Sequence, residues 1–277
     1  FNLLNNKIKE LPAEFGKEGY ESGVRKYMVG RSIYDFYVYA FEGVNKSNGR
    51  SLYRLNDKTY YINEPGYERT GATVGTGEER LPLAAANYTI IDGQAYVYNT
   101  SYAKKDYFDS AIPKAYGSFT TMLRWKSVSL SALLTYQMGG KMIDNSYMSL
   151  MSIGTSPSAL HKDLLNSWTP EQAGTGIDVN GIPLLNTTQS SFNNATSSRF
   201  IMSSDYLTIK NVSLAYDLPG TAVSRLGLSR IRLSASVDNL AIFTAMQGIN
   251  PQQSFGGVSY NAYVPARVGI IGVNVQF

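Results

Sequence analysis

The chain has 277 residues, of which 17% are charged, 43% hydrophobic and 12% aromatic. Soluble globular chains carry roughly 25% charged residues. Here Ser, Thr, Asn and Gln supply the polar surface beside 25 Gly and 21 Tyr, a blend that suits strands and turns and is apolar enough to exclude disorder. The absence of Cys excludes disulfides, thiolate metal sites and a cysteine nucleophile, and a net charge of +4, scattered without a run of five like charges, argues against nucleic acid as a partner.

Phe1 is followed by no basic n-region or apolar h-region, so the chain is expected to be part of a longer polypeptide rather than a precursor with a signal peptide. The longest apolar run, residues 36–41, is far short of the roughly 20 residues of a membrane helix, whereas barrel strands need only about 9 to 11. Residues 24–29 are expected to form the first strand. Aromatics cluster at Tyr34, Phe36, Tyr37, Tyr39 and Phe41, at Tyr60 and Tyr61, at Tyr96 and Tyr98, and at Tyr260 and Tyr263. Such clusters suit interfacial girdles, or rings that grip sugars or peptides.

Two long segments are not strand-like. Residues 62–95 are punctuated by Pro65, Gly66, Gly71, Gly75, Gly77, Pro82 and Gly93. Residues 143–199 are expected to hold a short helix over 158–168, with Ser158 as N-cap. Loops of this length are usually functional, and Tyr67, Tyr88, Trp168 and Phe192 are their candidate ligand or partner contacts.

Alternation is clearest in the remaining segments. Residues 117–126 set Phe119, Leu123 and Trp125 against Ser118, Thr120, Arg124 and Lys126. In 128–137, Val128, Leu130, Ala132, Leu134 and Tyr136 oppose Ser129, Ser131, Leu133, Thr135 and Gln137. Val212, Leu214 and Tyr216 alternate with Ser213, Ala215 and Asp217, and a short turn with a helical element is expected over 218–228. In 230–238, Ile231, Leu233, Ala235 and Val237 face away from Arg232, Ser234, Ser236 and Asp238. Residues 267–277 end the series, with Ile271, Val273, Val275 and Phe277 opposite Gly272, Asn274 and Gln276.

A sandwich would also produce such strands, but its outward face is usually rich in Lys and Glu. Small neutral polar residues suit a wet barrel lumen instead. The candidate lumen-facing residues are Ser129, Ser131, Thr135, Gln137, Arg232, Ser234, Ser236, Asp238, Asn274 and Gln276. The closing pattern of Gly272, Val273, Val275 and a final Phe277 resembles the signal read by the machinery that assembles bacterial outer-membrane barrels.

Catalytic and metal chemistry find little support. His161 is the single histidine and has no metal-ligand or triad company in the sequence. Gly139-Gly140-Lys141-Met142 lacks the first Gly and the Ser or Thr of a phosphate loop. Glu78-Glu79 reads as a solvated loop tip, and Asp178-Val179-Asn180-Gly181 lacks the remaining ligands of a calcium loop.

Several segments, in order, resemble the SusC/RagA family of TonB-dependent transporters. These are Val29-Gly30-Arg31-Ser32, Pro113-Lys114-Ala115-Tyr116-Gly117, Tyr136-Gln137-Met138-Gly139-Gly140-Lys141-Met142-Ile143-Asp144 and Asn166-Ser167-Trp168-Thr169-Pro170-Glu171. They continue as Ser204-Asp205-Tyr206-Leu207-Thr208-Ile209-Lys210-Asn211-Val212, then Leu226-Gly227-Leu228, Val237-Asp238-Asn239-Leu240, Gly248-Ile249-Asn250-Pro251 and Val264-Pro265. Two departures stand out: residues 104–112 lack a Gly common before the Pro-Lys pair, and Asn250-Pro251-Gln252 stands where Asp-Pro-Glu is commoner.

The resemblance implies an all-β fold, an antiparallel transmembrane β-barrel segment with long extracellular loops. At roughly 30 residues per strand the chain would supply about eight to ten strands of a barrel of about 22. Residues 1–277 would be its C-terminal portion, with the plug and N-terminal strands outside this chain. The implied function is TonB-dependent import of a glycan or peptide across the bacterial outer membrane, with no enzymatic step and no cofactor. Implied partners are the rest of the barrel and its plug, a SusD-like surface lipoprotein that closes as a lid, the TonB system, membrane lipid and lipopolysaccharide. The alternatives from other classes are a soluble β-sandwich carbohydrate-binding module and a self-contained small outer-membrane barrel.

Overall fold

The computed structural model describes every residue except Gly66, 68–79, 155–156 and 260–261. Glu78, Glu79 and Tyr260 therefore lie outside the described residues. Short antiparallel strands and 3-10 turns dominate, and the three α-helices among the described residues have only four to six residues each. The chain divides into two compact units.

The first unit comprises Phe1–Asn6, Ser110–Ile143 and Met202–Phe277. It is built on one sheet of six strands: β1 (Asn2–Leu3), β2 (Ala115–Trp125), β3 (Val128–Met138), β4 (Tyr206–Asp217), β5 (Arg230–Thr244) and β6 (Val268–Gln276). Spatial order follows chain order and every pairing is antiparallel, so the sheet is a simple meander. Trp125 pairs with Val128, which leaves Lys126 and Ser127 as a two-residue connection. Lys126 adopts φ +52°, the positive value that tight hairpin turns need to match strand twist. Between β4 and β5 lie the helical turns Gly220–Val223 and Ser224–Leu226, ended by Gly227 in the left-handed region, as the sequence leads one to expect.

Register carries straight across the sheet. Leu123, Leu130, Leu214, Ala235 and Ile271 form one cross-strand row, and Trp125, Val128, Tyr216, Leu233 and Val273 form another. Between them Arg124, Ser129, Ala215, Ser234 and Gly272 point the other way, as the two-residue period of a strand requires. One bulge interrupts the pattern, where the pairing steps from Ile209 and Ala241 to Asn211 and Asp238. It leaves Lys210 on β4, and Asn239 and Leu240 on β5, without direct opposites. Asn239 takes φ +51°, a conformation that Asn tolerates better than most residues. Its Oδ1 accepts from Lys210 Nζ at 2.9 Å, and its Nδ2 donates to the Ala266 carbonyl at 3.1 Å.

The apolar face of this sheet is not covered. Within β2 to β6 the only buried hydrophobic residue is Ala215, while Ile271 is 88% exposed, Trp125 72% and Leu123 61%. A β-sandwich needs that face packed against a second sheet, so the sandwich reading does not describe this unit.

The second unit, Lys7–Asp109 with Asp144–Ile201, holds most of the buried core. One sheet orders Lys105–Ser110, Asp35–Tyr39, Arg25–Tyr27 and Tyr20–Ser22; another orders Ile177–Asp178, Phe41–Asn45, Ser51–Arg54, Gln94–Val97 and Tyr88–Ile91. Phe36, Val44, Leu52, Tyr53, Ile62, Val97, Met151 and Phe200 are fully or almost fully buried. Asp178 caps a local turn, its Oδ1 accepting from Asn180 N at 3.1 Å.

Four expectations change. The long sheet has five strands of nine to fifteen residues plus two-residue β1, rather than eight to ten spans, because the second unit folds into short-strand sheets of its own. Residues 24–29 do not edge that sheet: the chain turns at Gly23 (φ +59°) and Gly30 (φ +86°), and Arg25–Tyr27 pairs locally with Tyr20–Ser22. The clusters at 34–41, 60–61 and 96–98 belong to the second unit and are not girdles of the long sheet; rings at the ends of its apolar face are instead Trp125 and Tyr216 at one end and Tyr136 and Phe243 at the other. The helix expected over 158–168 is a 3-10 helix, Lys162–Asn166, with His161 as N-cap, its Nδ1 accepting from Asp163 N.

Candidate functional site

All ten residues expected to face a lumen share one face of the long sheet. Gln137 is in the row of Tyr116, Tyr206 and Thr244, and Thr135 in that of Ser118 and Thr208. Ser131 aligns with Ser213 and Ser236, and Ser129 with Ser234. Asp238 pairs with Asn211, Arg232 with Asp217 and Asn274, and Arg230 with Gln276. Apolar side chains interrupt this face at Met122, Leu133, Ile242, Val268 and Ile270.

The polar groups are organised. Gln137 Nε2 donates to Ser204 Oγ at 3.0 Å, Gln252 Nε2 to Thr135 Oγ1 at 3.3 Å, and Asn211 Nδ2 to Asp238 Oδ1 at 2.6 Å. Near the Lys126 turn three guanidiniums converge on one carboxylate. Arg230 Nε and Nη2 lie 2.9 and 2.7 Å from Asp217 Oδ1, while Arg124 and Arg232 approach Oδ2 at 3.9 and 4.0 Å. Arg124 and Asp217, which alternation puts on the polar side of their strands, and Arg230 are absent from the candidate lumen-facing residues. The signal that could have found them is the pairing of Asp217 with Arg232 across a short β4 to β5 connection. The barrel-assembly pattern divides between faces: Gly272 pairs with Ser234 on the polar side, Val273 and Val275 lie on the apolar side, and Phe277, just past β6, is 94% exposed.

The four loop candidates do not form one group. Tyr67 and Tyr88 pack against the cluster of Tyr53, Leu55, Ile62, Ala95 and Val97, and Tyr88 donates to Glu64 Oε1 at 2.9 Å. Trp168 lies against Gly49 and Leu184 and donates its Nε1 hydrogen to the Lys46 carbonyl at 3.0 Å. Phe192 offers its carbonyl to the Tyr53 hydroxyl at 2.5 Å. Those two are fixed by the fold of the second unit.

Tyr67 also lines a cleft of ≈ 360 Å³ in the second unit, which sequence reading did not foresee. Its wall is made by neighbouring strands: Arg54 pairs with Tyr96, and a register break between Phe41 and Gly43 leaves Glu42 as the bulged residue. Bulges re-aim side chains, and here Glu42 Oε1 meets Arg54 Nε at 2.8 Å and Nη2 at 2.5 Å. Arg54 Nη1 reaches Asp106 Oδ2 at 3.7 Å, and Lys104 Nζ reaches the same oxygen at 3.5 Å. Burial, followed by the nearby charges of Glu42 and Asp92, raises the Tyr96 phenol above its ordinary value, so it stays a neutral hydrogen-bonding group.

No group of three or more His, Asp or Glu side chains among the described residues is gathered to hold a metal ion. No described helix is long and apolar enough to cross a membrane, which says nothing of a β-barrel.

No protein-family model matches the chain. Two TonB-dependent receptors of Formosa agariphila, P3 and P39, are each 23% identical to it, over 90% and 100% of this chain and 22% and 28% of their own lengths. The chain therefore spans about a quarter of the length of the curated relatives it matches. Among solved structures, the RagAB peptide importer in its open-open state aligns with TM-score 0.63 and 21% identity over 98% of this chain and 25% of that one. A second RagAB peptide transporter structure aligns with TM-score 0.66 and 20% identity over 98% and 26%. Both kinds of match run over nine-tenths or more of its residues: the chain is similar in sequence to TonB-dependent receptors, and with its meander of long antiparallel strands it is similar in fold to the RagAB structures.

Proposed function

We propose that this chain forms part of the wall and the extracellular loops of an outer-membrane β-barrel that imports a nutrient polymer, a glycan or a peptide, with energy relayed from TonB. The observation that carries this reading is the meander's two-sidedness. On one face no charged residue occurs at the paired positions of β2 to β6, and Phe119, Leu123, Trp125, Ile271 and Val273 on it are exposed. Each such side chain held in water forgoes roughly 1.5–3 kcal/mol of burial, so the face calls for an apolar medium. The other face carries hydroxyls, amides and the arginine cluster, chemistry for a wet passage. The five long strands, nine to fifteen residues each, meet the length that a tilted membrane strand requires.

In this reading β1 and β6 are edges that the rest of the barrel covers, since unpaired backbone groups have no water partners in lipid. A SusD-like lipoprotein would close over the second unit and deliver cargo to the lumen, and a plug elsewhere in the protein would move aside under TonB. Deletion of the gene is the test. Uptake of at least one glycan or peptide should fall to background and return with the gene, while unchanged uptake of every polymer offered would remove the import reading.

A further inference from the structure

We propose that the short-turn end of the polar face binds a phosphate-type dianion between the guanidiniums of Arg124 and Arg232. This takes from the import reading only that the face is wet, and assigns a site within it. The cross-strand row of Met122, Ser131, Ser213, Ser236 and Ile270 marks off that end of the sheet. Between this row and the Lys126 turn, the β4 to β5 connection and the end of β6 lie five basic side chains, Arg124, Lys126, Arg225, Arg230 and Arg232, and one acidic one, Asp217. The chain as a whole has 25 basic and 21 acidic residues, so this end alone carries the net charge of +4 and the remainder is balanced. A wall with one sign of charge raises the local concentration of the opposite ion.

Asp217 gathers the cluster without neutralising it. Arg230 directs its fork at Oδ1, at 2.9 and 2.7 Å, whereas Arg124 and Arg232 stop 3.9 and 4.0 Å from Oδ2, beyond hydrogen-bond reach. Neither of those two guanidiniums donates a hydrogen bond to any of the described residues, and each has five N–H donors. Both side chains are open to a ligand, Arg124 at 69% exposure and Arg232 at 38%. Because they approach the same oxygen, their nearest nitrogens are no more than about 8 Å apart, a gap that one oxyanion closes with two charge-assisted hydrogen bonds of about 2.8 Å. The row that starts at Arg124 continues as Ser129, Ala215, Ser234 and Gly272, small residues that leave room over the sheet, and Ser129 adds a hydroxyl. Three guanidiniums against one carboxylate leave two charges over. A second carboxylate would match one of them; a phosphoryl group, with a charge of about −1.5 to −2 at pH 7 and three acceptor oxygens, matches both. Lipid meets the opposite face in the import reading, so the phosphoryl group comes from the free ion or from a phosphorylated cargo. Outer-membrane barrels place their short turns on the periplasmic side, which puts the site where cargo leaves the passage.

The test uses the full-length protein in detergent, titrated calorimetrically with inorganic phosphate, glucose 6-phosphate and, as the neutral control, glucose. At least one phosphate should bind and glucose should not. Inorganic phosphate alone assigns the site to the free ion, glucose 6-phosphate alone to a phosphorylated cargo, and both together to the phosphoryl group whatever carries it. Arg124→Gln, at an exposed position where folding is not at stake, and Arg232→Gln should each weaken the bound phosphate about tenfold or more, as loss of a charged hydrogen bond does. Arg225→Gln removes a charge from the neighbouring helical turn and should change affinity by less than about twofold, since salt screens exposed charges that touch no ligand. Binding of neither phosphate, equal binding of glucose and glucose 6-phosphate, unchanged affinity in both Arg124→Gln and Arg232→Gln, or an equal loss in Arg225→Gln overturns the proposal. Uptake by cells separates this from the import reading. If gene deletion abolishes uptake but no phosphate binds, the anion site alone fails; if deletion leaves uptake intact, the import reading fails whatever the arginines bind.

Discussion

Gly49 stands face-on to the indole of Trp168: its backbone is at φ +69°, and a Cβ there would come within 2.6 Å of Trp168 Cδ2 and 2.9 Å of Leu184 Cβ. The indole cannot swing away without losing its hydrogen bond to the Lys46 carbonyl. Alanine at this position incurs a left-handed backbone penalty of about 1–2 kcal/mol and an overpacking penalty of about 1–3 kcal/mol. Gly227 has φ +70° in the left-handed region and open space where a Cβ would stand, so Gly227→Ala incurs only the first. Gly49→Ala is therefore expected to lower the melting temperature more than Gly227→Ala, and to speed amide exchange around Val44 and Leu184. Equal losses would show that the indole yields.

Tyrosines of the second unit set an alkaline limit on its stability. Burial, and then the charge of Glu21, lifts the Tyr37 phenol to about 12. Burial lifts Tyr147 to about 12 as well, helped by its hydrogen bond to Asp163 at 3.1 Å. Tyr53 is pushed higher still by near-complete burial. A phenol in the unfolded chain titrates near pH 10. These raised values thus contribute stability that is fully present below pH 10 and lost as pH rises toward 12. Ultraviolet titration of the phenolates should show late-ionising tyrosines whose ionisation coincides with loss of the β-sheet circular dichroism signal. Tyr147→Phe should flatten part of that alkaline decline; a parent protein whose tyrosines all titrate near pH 10 while folded would contradict the burial argument.

Adjacent residues on β4 should respond oppositely to the same charge. Val212 lies in the middle row of the apolar face with Thr121, Ala132, Val237 and Gly269, whereas Ser213 lies on the polar face between Ser131 and Ser236. If the apolar face meets lipid, Val212→Arg costs about 2–4 kcal/mol near the bilayer midplane, while Ser213→Arg, facing water, costs little. Urea unfolding of the full-length protein from lipid vesicles measures both, and similar losses for the pair would remove the membrane assignment of that face.

How far these features could be read in advance depended on their range along the chain. The faces of β2 to β6 follow from alternation alone, and Leu130 and Ser131 fall where a two-residue period puts them. The second unit was opaque because its strands are two to six residues long and its pairings bring distant segments together. The backbone N–H of Phe41 donates to Ser198 Oγ across 157 positions of sequence, and no local pattern announces such a contact. Trp168 and Phe192 look like binding residues in a list of loop aromatics, and only the opposing Gly49 and the Tyr53 hydroxyl reveal them as anchors. The cleft escaped notice for the same reason, since Glu42 joins Arg54 through a bulge that breaks the alternation.

Bulges also give the sharpest test of the long sheet. Asn239 serves two roles: its backbone adopts φ +51°, and its carboxamide links Lys210 Nζ to the Ala266 carbonyl. Glycine keeps the first role and loses the second; alanine loses both. Asn239→Gly should therefore be the milder change, and Asn239→Ala should add about 1–2 kcal/mol for the left-handed backbone. Lys210→Met, which keeps the stem and removes the ammonium, should reproduce only the Lys210 half of that link, leaving the bond to Ala266, and be less than additive with Asn239→Gly, since both remove the Lys210–Asn239 bond. Thermal unfolding of the full-length protein carrying each change ranks them. Equal effects of glycine and alanine would mean that the bulge is held by the side-chain bridge and not by the backbone preference of Asn.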